Sequence, residues 1–189
     1  MDYKEIRKMR VKQLLVTNVI IFLSVILFFT VVKIALISSF QYFIFLGILL
    51  ALRGIVGLVR GETTKSIIPI FEKVAIYEKE KMGNEWYKER KTNFIGNIII
   101  SGFMFLQAYW NRILSEQSFQ MDVTFISALL FCILLIINIA SVVRFRKIDH
   151  SISSNELNGY TRKSNLIGAG VGIIFGVIIA VVTIFFIVS

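Results

Sequence analysis

The sequence predicts an all-α integral membrane protein, a bundle of five transmembrane helices with one amphipathic cytoplasmic helix between spans two and three. Of the 189 residues, 56% are hydrophobic and 17% are charged, and the mean hydropathy is +0.76. Runs of about 20 residues carry almost no charge, which is the length needed to cross a hydrocarbon core of ~30 Å. The basic residues lie between these runs. Residues 1–189 are therefore predicted to form a single membrane domain.

The segment 60–92 sets the predicted orientation. It is the longest polar interval of the chain and holds eight bases, Arg60, Lys65, Lys73, Lys79, Lys81, Lys88, Arg90 and Lys91. Cytoplasmic loops of membrane proteins carry the excess of Lys and Arg, so this segment is predicted to lie inside.

A count of the other bases agrees with that orientation. Five bases precede the first apolar run and five lie in residues 144–165, whereas only Lys33 and Arg112 fall on the predicted outer side. The N-terminus is thus predicted inside and the C-terminus outside. The first apolar run is too long for the core of a signal peptide and is interpreted as an uncleaved span. An odd number of spans argues against an inverted-repeat transporter.

The first two predicted spans, 14–35 and 40–59, form a hairpin because very few residues connect them. Ser38 and Ser39 are suited to cap the start of the second helix. Gly61, after Arg60, is suited to end it.

An amphipathic helix is predicted inside the segment 60–92. Ile67, Ile70, Phe71 and Val74 recur at helical spacing, Pro69 is suited to the first turn, and Gly83 ends the pattern. This helix is predicted either to lie on the bilayer or to dock a protein partner. The second alternative is kept because the helix has charges of both signs, whereas a helix that binds only lipid is mainly basic. Trp86 and Tyr87 are predicted at the inner membrane interface.

The remaining spans are predicted at 93–110, 123–143 and 166–188. The last contains a stripe of small residues at spacing four: Gly168, Gly172, Gly176 and Ala180. Small residues let helix backbones approach closely in lipid. The stripe is predicted to pack either within the chain or against a partner or a second copy.

Four polar residues are predicted at similar depth in the inner leaflet: Asn18, Arg53, Asn97 and Asn138. Arginine binds phosphate well, so one hypothesis is a cytoplasm-facing pocket for an anion or a lipid phosphate. The other interpretation is that Arg53 reaches the headgroups and the asparagines form interhelical hydrogen bonds worth ~0.6 kcal/mol each.

Several classes of function are disfavoured by the composition. All twelve acids lie outside the predicted spans, whereas proton- and cation-coupled carriers usually place ionisable groups within the bilayer. One histidine and one cysteine provide no metal cluster, and no catalytic motif, cofactor motif or nucleic-acid motif is present. The excess of bases instead suits anionic lipid headgroups on the cytoplasmic side.

The resulting prediction is a non-enzymatic, multi-pass protein of a bacterial cell membrane. We expect it to act through protein–protein contact, as an accessory subunit, a regulator or an immunity factor. The alternative is a small homo-oligomeric transporter, channel or lipid-handling protein with a cytoplasm-facing polar pocket. A third hypothesis is an enzyme that acts on lipids at the membrane interface.

Overall fold

The computed structural model describes residues 2–35, 37–61, 63–112 and 123–172. This part of the chain is helical, with no strand. Its elements are α1 (Tyr3–Ala35), α2 (Ser39–Arg60), α3 (Pro69–Met82), α4 (Asn84–Asn111), α5 (Val123–His150), a 3₁₀ turn (Ser154–Leu157) and α6 (160–172).

Two of these helices are long and apolar enough to cross a membrane. They are α1, over Tyr3–Val31, and α2, over Ser39–Arg60, judged by length and composition. The described residues form helices and no strand, which confirms the all-α prediction. The five spans and the orientation stay predictions, and most of the predicted fifth span lies outside the described residues.

Local sequence explains where the helices begin and end. The Ser38 hydroxyl accepts a hydrogen bond from the Gln41 N–H at 3.3 Å, and the Gln41 side-chain oxygen accepts one from the Ser38 N–H at 3.1 Å. This reciprocal capping box satisfies two amides at the start of α2. Gly61 and Gly83 follow the last residues of α2 and α3 with φ of 37° and 55°, which glycine adopts at little cost. Pro69 occupies the first turn of α3, as predicted.

The most extensive helix pair is α2 with α4. Gly47 lies against Phe105, Gly54 against Ile98, and the partner numbers fall as the α2 numbers rise, so the helices are antiparallel. A Cβ atom at Gly54 would lie 2.9 Å from the main-chain oxygen of Phe94. The glycines of α2 therefore allow the two backbones to approach, as small residues do between membrane helices.

A second antiparallel pair is formed by α1 and α5. Asn18 contacts Asn138, and Arg10 contacts Asp149. At the end of the molecule that carries Arg10 and Asp149, α3 packs against α1, α4 and α5. The ends of α1, α4 and α5 that the sequence predicts to be cytoplasmic thus meet around α3.

Two apolar clusters fill this end of the molecule. One comprises Met82, Trp86, Ile148 and Leu157, and the other comprises Met9, Val74 and Tyr77. Trp86 is only 3% exposed, so its ring packs inside the protein and is not available to anchor in lipid headgroups. It lies in the first turn of α4, which begins nine residues before the predicted span, and it packs against residues that follow α5 in the chain.

Candidate functional site

The largest polar cluster in the described part of the chain joins four helices. We call it the ionic network, and its charged members are Arg10 of α1, Glu78 of α3, Glu89 of α4, and Arg144 and Asp149 of α5.

Arg144 bridges two carboxylates. Its Nη1 and Nη2 donate to Oε1 and Oε2 of Glu78 at 2.7 and 2.8 Å, and its Nε and Nη2 donate to Oε1 and Oε2 of Glu89 at 2.9 and 3.0 Å. The planar guanidinium suits such paired contacts, which are stronger than single neutral hydrogen bonds. Arg144 therefore ties α5 to both α3 and α4.

Arg10 completes the network from α1. Its Nη1 donates to Glu78 at 2.6 Å and to Gln13 at 3.0 Å, while its Nη2 and Nε donate to Asp149 at 2.7 and 3.1 Å. Its guanidinium carbon lies 4.3 Å from the centre of the Phe145 ring, within range of a cation–π contact. Arg10 is 5% exposed, so its charge depends on these partners rather than on water.

Glu78 is the centre of the network, because both arginines donate to it. Burial on its own would raise the pKa of this carboxyl, but the hydrogen bonds and charges of Arg144 and Arg10 outweigh burial and hold the pKa below its usual value. Glu78 is therefore ionised, although its side chain is only 6% exposed.

Tyr77 borders the network, and its ring centre lies 5.4 Å from the guanidinium carbon of Arg10. Its buried hydroxyl has no partner at full hydrogen-bond geometry within the described residues, although Asp149 lies near it. Burial, followed by the negative charge of Asp149, raises the pKa of Tyr77 to about 12. The phenol therefore stays neutral.

A separate carboxylate, Glu85, joins the starts of α4 and α6. It accepts a hydrogen bond from Lys88 Nζ at 2.7 Å and another from the Thr161 N–H at 3.0 Å, and the Thr161 hydroxyl donates to the main-chain oxygen of Glu85 at 3.2 Å. A carboxylate near helix N-termini is favoured by their unpaired amides and dipoles. The Lys88 hydrogen bond is the main cause that lowers the pKa of Glu85 to about 2; burial opposes the shift and the Thr161 N–H adds to it.

This shift predicts an acid-sensitive contribution to stability. Because the folded-state pKa is lowered from 4.5 to about 2, the contribution is present above pH 4.5 and is lost as the pH falls to about 2. We expect the free energy of unfolding of wild type to fall more steeply than that of Glu85→Gln across this interval. Denaturant unfolding at several pH values measures the difference. Glu80→Gln, at an exposed position on α3, is the matched control and should behave as wild type; parallel profiles for wild type and Glu85→Gln would contradict the assignment.

The ionic network was not predicted from the sequence, although one signal could have revealed its centre. Val74, Tyr77, Glu78 and Met82 recur at spacings of three and four, and all are buried. A glutamate on the apolar stripe of a helix needs a cationic partner inside the protein. The sequence alone does not say which of its many bases provides that partner.

The predicted polar layer is divided between the two helix pairs. Asn18 and Asn138 exchange hydrogen bonds at 3.0 and 2.9 Å across the α1–α5 pair. Arg53 is exposed on α2 and Asn97 is half-buried on α4. Within the described residues no polar contact joins Arg53 to any of the three asparagines. The shared pocket for an anion or a lipid phosphate stays a prediction.

The four residues predicted to dock a partner differ in exposure. Val74 is 4% exposed and packs on Met9 with Ile70 beside it, so Val74 is not available to a partner. Phe71 is half-buried, and Ile67 is fully exposed at 101%. The apolar face of α3 thus covers the interior of the protein, and Ile67 lies just before that helix.

The predicted glycine stripe is described only in its first half. Beyond its own stretch of helix, no described atom lies within 4 Å of a Cβ atom built at Gly168 or Gly172. Gly176 and Ala180 lie outside the described residues.

The described residues contain no group of three His, Cys, Asp or Glu side chains that could hold a metal ion. Comparison of the chain with protein-family models, with curated proteins and with solved structures finds no match. The function of this chain is therefore inferred from the packing of its helices and from the ionic network.

Proposed function

We propose that this chain is a multi-pass protein of the cell membrane that acts through protein–protein contact, as an accessory subunit, a regulator or an immunity factor, and that it performs no catalysis. In this proposal it has five spans, with the N-terminus inside and the C-terminus outside.

The membrane placement is supported by apolar side chains that the described chain leaves uncovered. Leu27 on α1, Val59 on α2, Phe103 on α4 and Phe131 on α5 are 66, 82, 61 and 66% exposed. Extended apolar surface of this kind requires a lipid or protein environment. The basic ends of α1, α4 and α5 meet around α3, as expected for ends on the side of the membrane that retains positive charge.

The ionic network is the observation that best supports a function through protein–protein contact. Each arginine donates to two carboxylates of the network, and these contacts join the ends of α1, α3, α4 and α5. Two arginines paired with three carboxylates inside the protein favour a structural role for this cluster. We call the joined ends of α1, α3, α4 and α5 the platform. Because the ionic network holds the platform in one conformation, it loses little conformational entropy when a partner binds, which favours association.

Ile67 is where a protein partner is expected to bind. We expect a complex extracted gently from its native membrane to contain a second protein in fixed ratio when weighed by native mass spectrometry. Ile67→Glu should release that protein, because it places a charge on an exposed apolar residue at the start of the platform. Ile152→Glu is the matched control, since Ile152 is 89% exposed and follows α5. The chain weighed alone, or a partner retained equally by both variants, would contradict the proposal.

The second candidate function is a homo-oligomeric transporter, channel or lipid-handling protein. It is favoured by Gly168 and Gly172, which have no neighbour among the described residues beyond their own stretch of helix, whereas Gly47, Gly54 and Gly57 of α2 lie against α4. The same mass measurement separates the two functions, because this one predicts several copies of the chain and no second protein.

A further inference from the structure

A basic groove of about 820 Å³ lies between the first turns of α1 and the start of α3. Its charged lining consists of five bases and one acid, namely Lys4, Arg7, Lys8, Lys12, Lys73 and Glu5. Its apolar lining includes Met9, Val11, Leu15 and Ile70. The groove is therefore amphipathic and carries a strong excess of positive charge.

The bases of the groove differ from those of the ionic network. Arg10 and Arg144 are paired with carboxylates, whereas no salt bridge within the described residues involves any of the five groove bases. All five are exposed. Like charges held close together repel one another, and a bound anion relieves that repulsion. The groove is thus complementary to an anionic group.

The apolar lining indicates what kind of molecule carries that anion. Lys8, Lys12, Leu15, Val19 and Leu23 follow one another at spacings of three and four, so they share a face of α1. Leu15, Val19 and Leu23 are 59, 47 and 58% exposed. This face changes from basic to apolar at the point where the predicted first span begins. A free phosphate would use only the basic part, whereas a lipid would use both parts.

We propose that the groove binds the phosphate of an anionic phospholipid from the cytoplasmic leaflet, with an acyl chain lying along Leu15, Val19 and Leu23. Basic pockets beside transmembrane helices on the cytoplasmic side bind such headgroups. The binding rests on the proposed membrane placement of α1 and is independent of any protein partner.

The test titrates the detergent-solubilised full chain with phosphatidylglycerol, with phosphatidylcholine and with inorganic phosphate, and counts bound molecules by native mass spectrometry. We expect phosphatidylglycerol to be retained in preference to the other two. At about fivefold in affinity for each base near the headgroup, Lys8→Gln with Lys12→Gln should weaken its binding roughly 30-fold.

The matched control is Arg146→Gln with Lys147→Gln, which removes two exposed bases from the corresponding end of α5, outside the groove. We expect it to bind phosphatidylglycerol within about twofold of wild type, since long-range electrostatic effects of exposed charges are screened. Equal loss in both double variants, or no loss in either, would overturn the site. Equal binding of phosphatidylcholine would show that the groove does not recognise the net negative charge of the lipid. Equal binding of inorganic phosphate would show that no lipid is required. Either result would also overturn the proposal.

Extraction of membranes with carbonate tests separately whether the chain is an integral membrane protein, so failure of the groove can be distinguished from failure of the proposed membrane placement. A chain that is washed from the membrane would contradict the membrane placement. A chain that stays in the membrane but binds phosphatidylglycerol no better than phosphatidylcholine would contradict the groove alone.

Discussion

Arg144→Ala is expected to lower the free energy of unfolding by about 3 kcal/mol, because it leaves two carboxylates without their shared partner. The side chains of Glu78 and Glu89 are 6% and 17% exposed, so water replaces the lost contacts poorly. Arg10 still donates to Glu78, which places the loss at the lower end of the range for broken buried ion pairs. With Trp110 replaced by Phe in every variant, fluorescence of the buried Trp86 follows the unfolding of this end of the molecule.

Two variants make the Arg144 measurement specific. Arg146→Ala removes the same charge from an exposed position on the same helix and should cost little. Arg144→Lys keeps the charge but loses the planar fork that binds two carboxylates, so its stability should fall between wild type and Arg144→Ala. A similar small loss for Arg144→Ala and Arg146→Ala would show that the ionic network does not stabilise the protein.

Gly54→Val is expected to destabilise the α2–α4 pair by about 1 to 3 kcal/mol, the usual cost of overpacking. A Cβ atom at this position would lie 2.6 Å from Cγ1 of Ile98 and 2.9 Å from the main-chain oxygen of Phe94. The Ile98 side chain can rotate, but the α4 backbone cannot, so the helices must separate. Denaturant unfolding of the detergent-solubilised protein measures the loss.

The matched control for this variant is Gly102→Val on α4. A Cβ atom at Gly102 meets no described atom within 4 Å beyond its own stretch of helix, and both variants change glycine to valine inside a helix. The control therefore contains the change in helix propensity without the contact between helices. If both variants unfold alike, close approach at Gly54 does not hold α2 against α4.

The ends of α2 and α3 could be predicted from the sequence because each depends on neighbouring residues, whereas α4 begins nine residues before its predicted span. Ser38 with Gln41, Pro69, Gly61 and Gly83 act within a single turn of the chain, and the structure has them at the expected helix ends. Part of the polar layer was also predictable, since an asparagine in an apolar helix needs a partner, and Asn18 finds Asn138. The sequence could not predict that Arg53 lies on a different helix pair.

What the sequence by itself determined is the class of the protein: its helices, its apolar surface and the clustering of bases between hydrophobic runs. Only the tertiary structure decided which charges are paired and which are open. Arg10 and Lys8 are two residues apart, yet Arg10 turns inward to Asp149, 139 residues away, while Lys8 lines an open groove. Such a difference depends on which helices meet, and on which face, because a buried charge is stable only where a distant segment brings its partner.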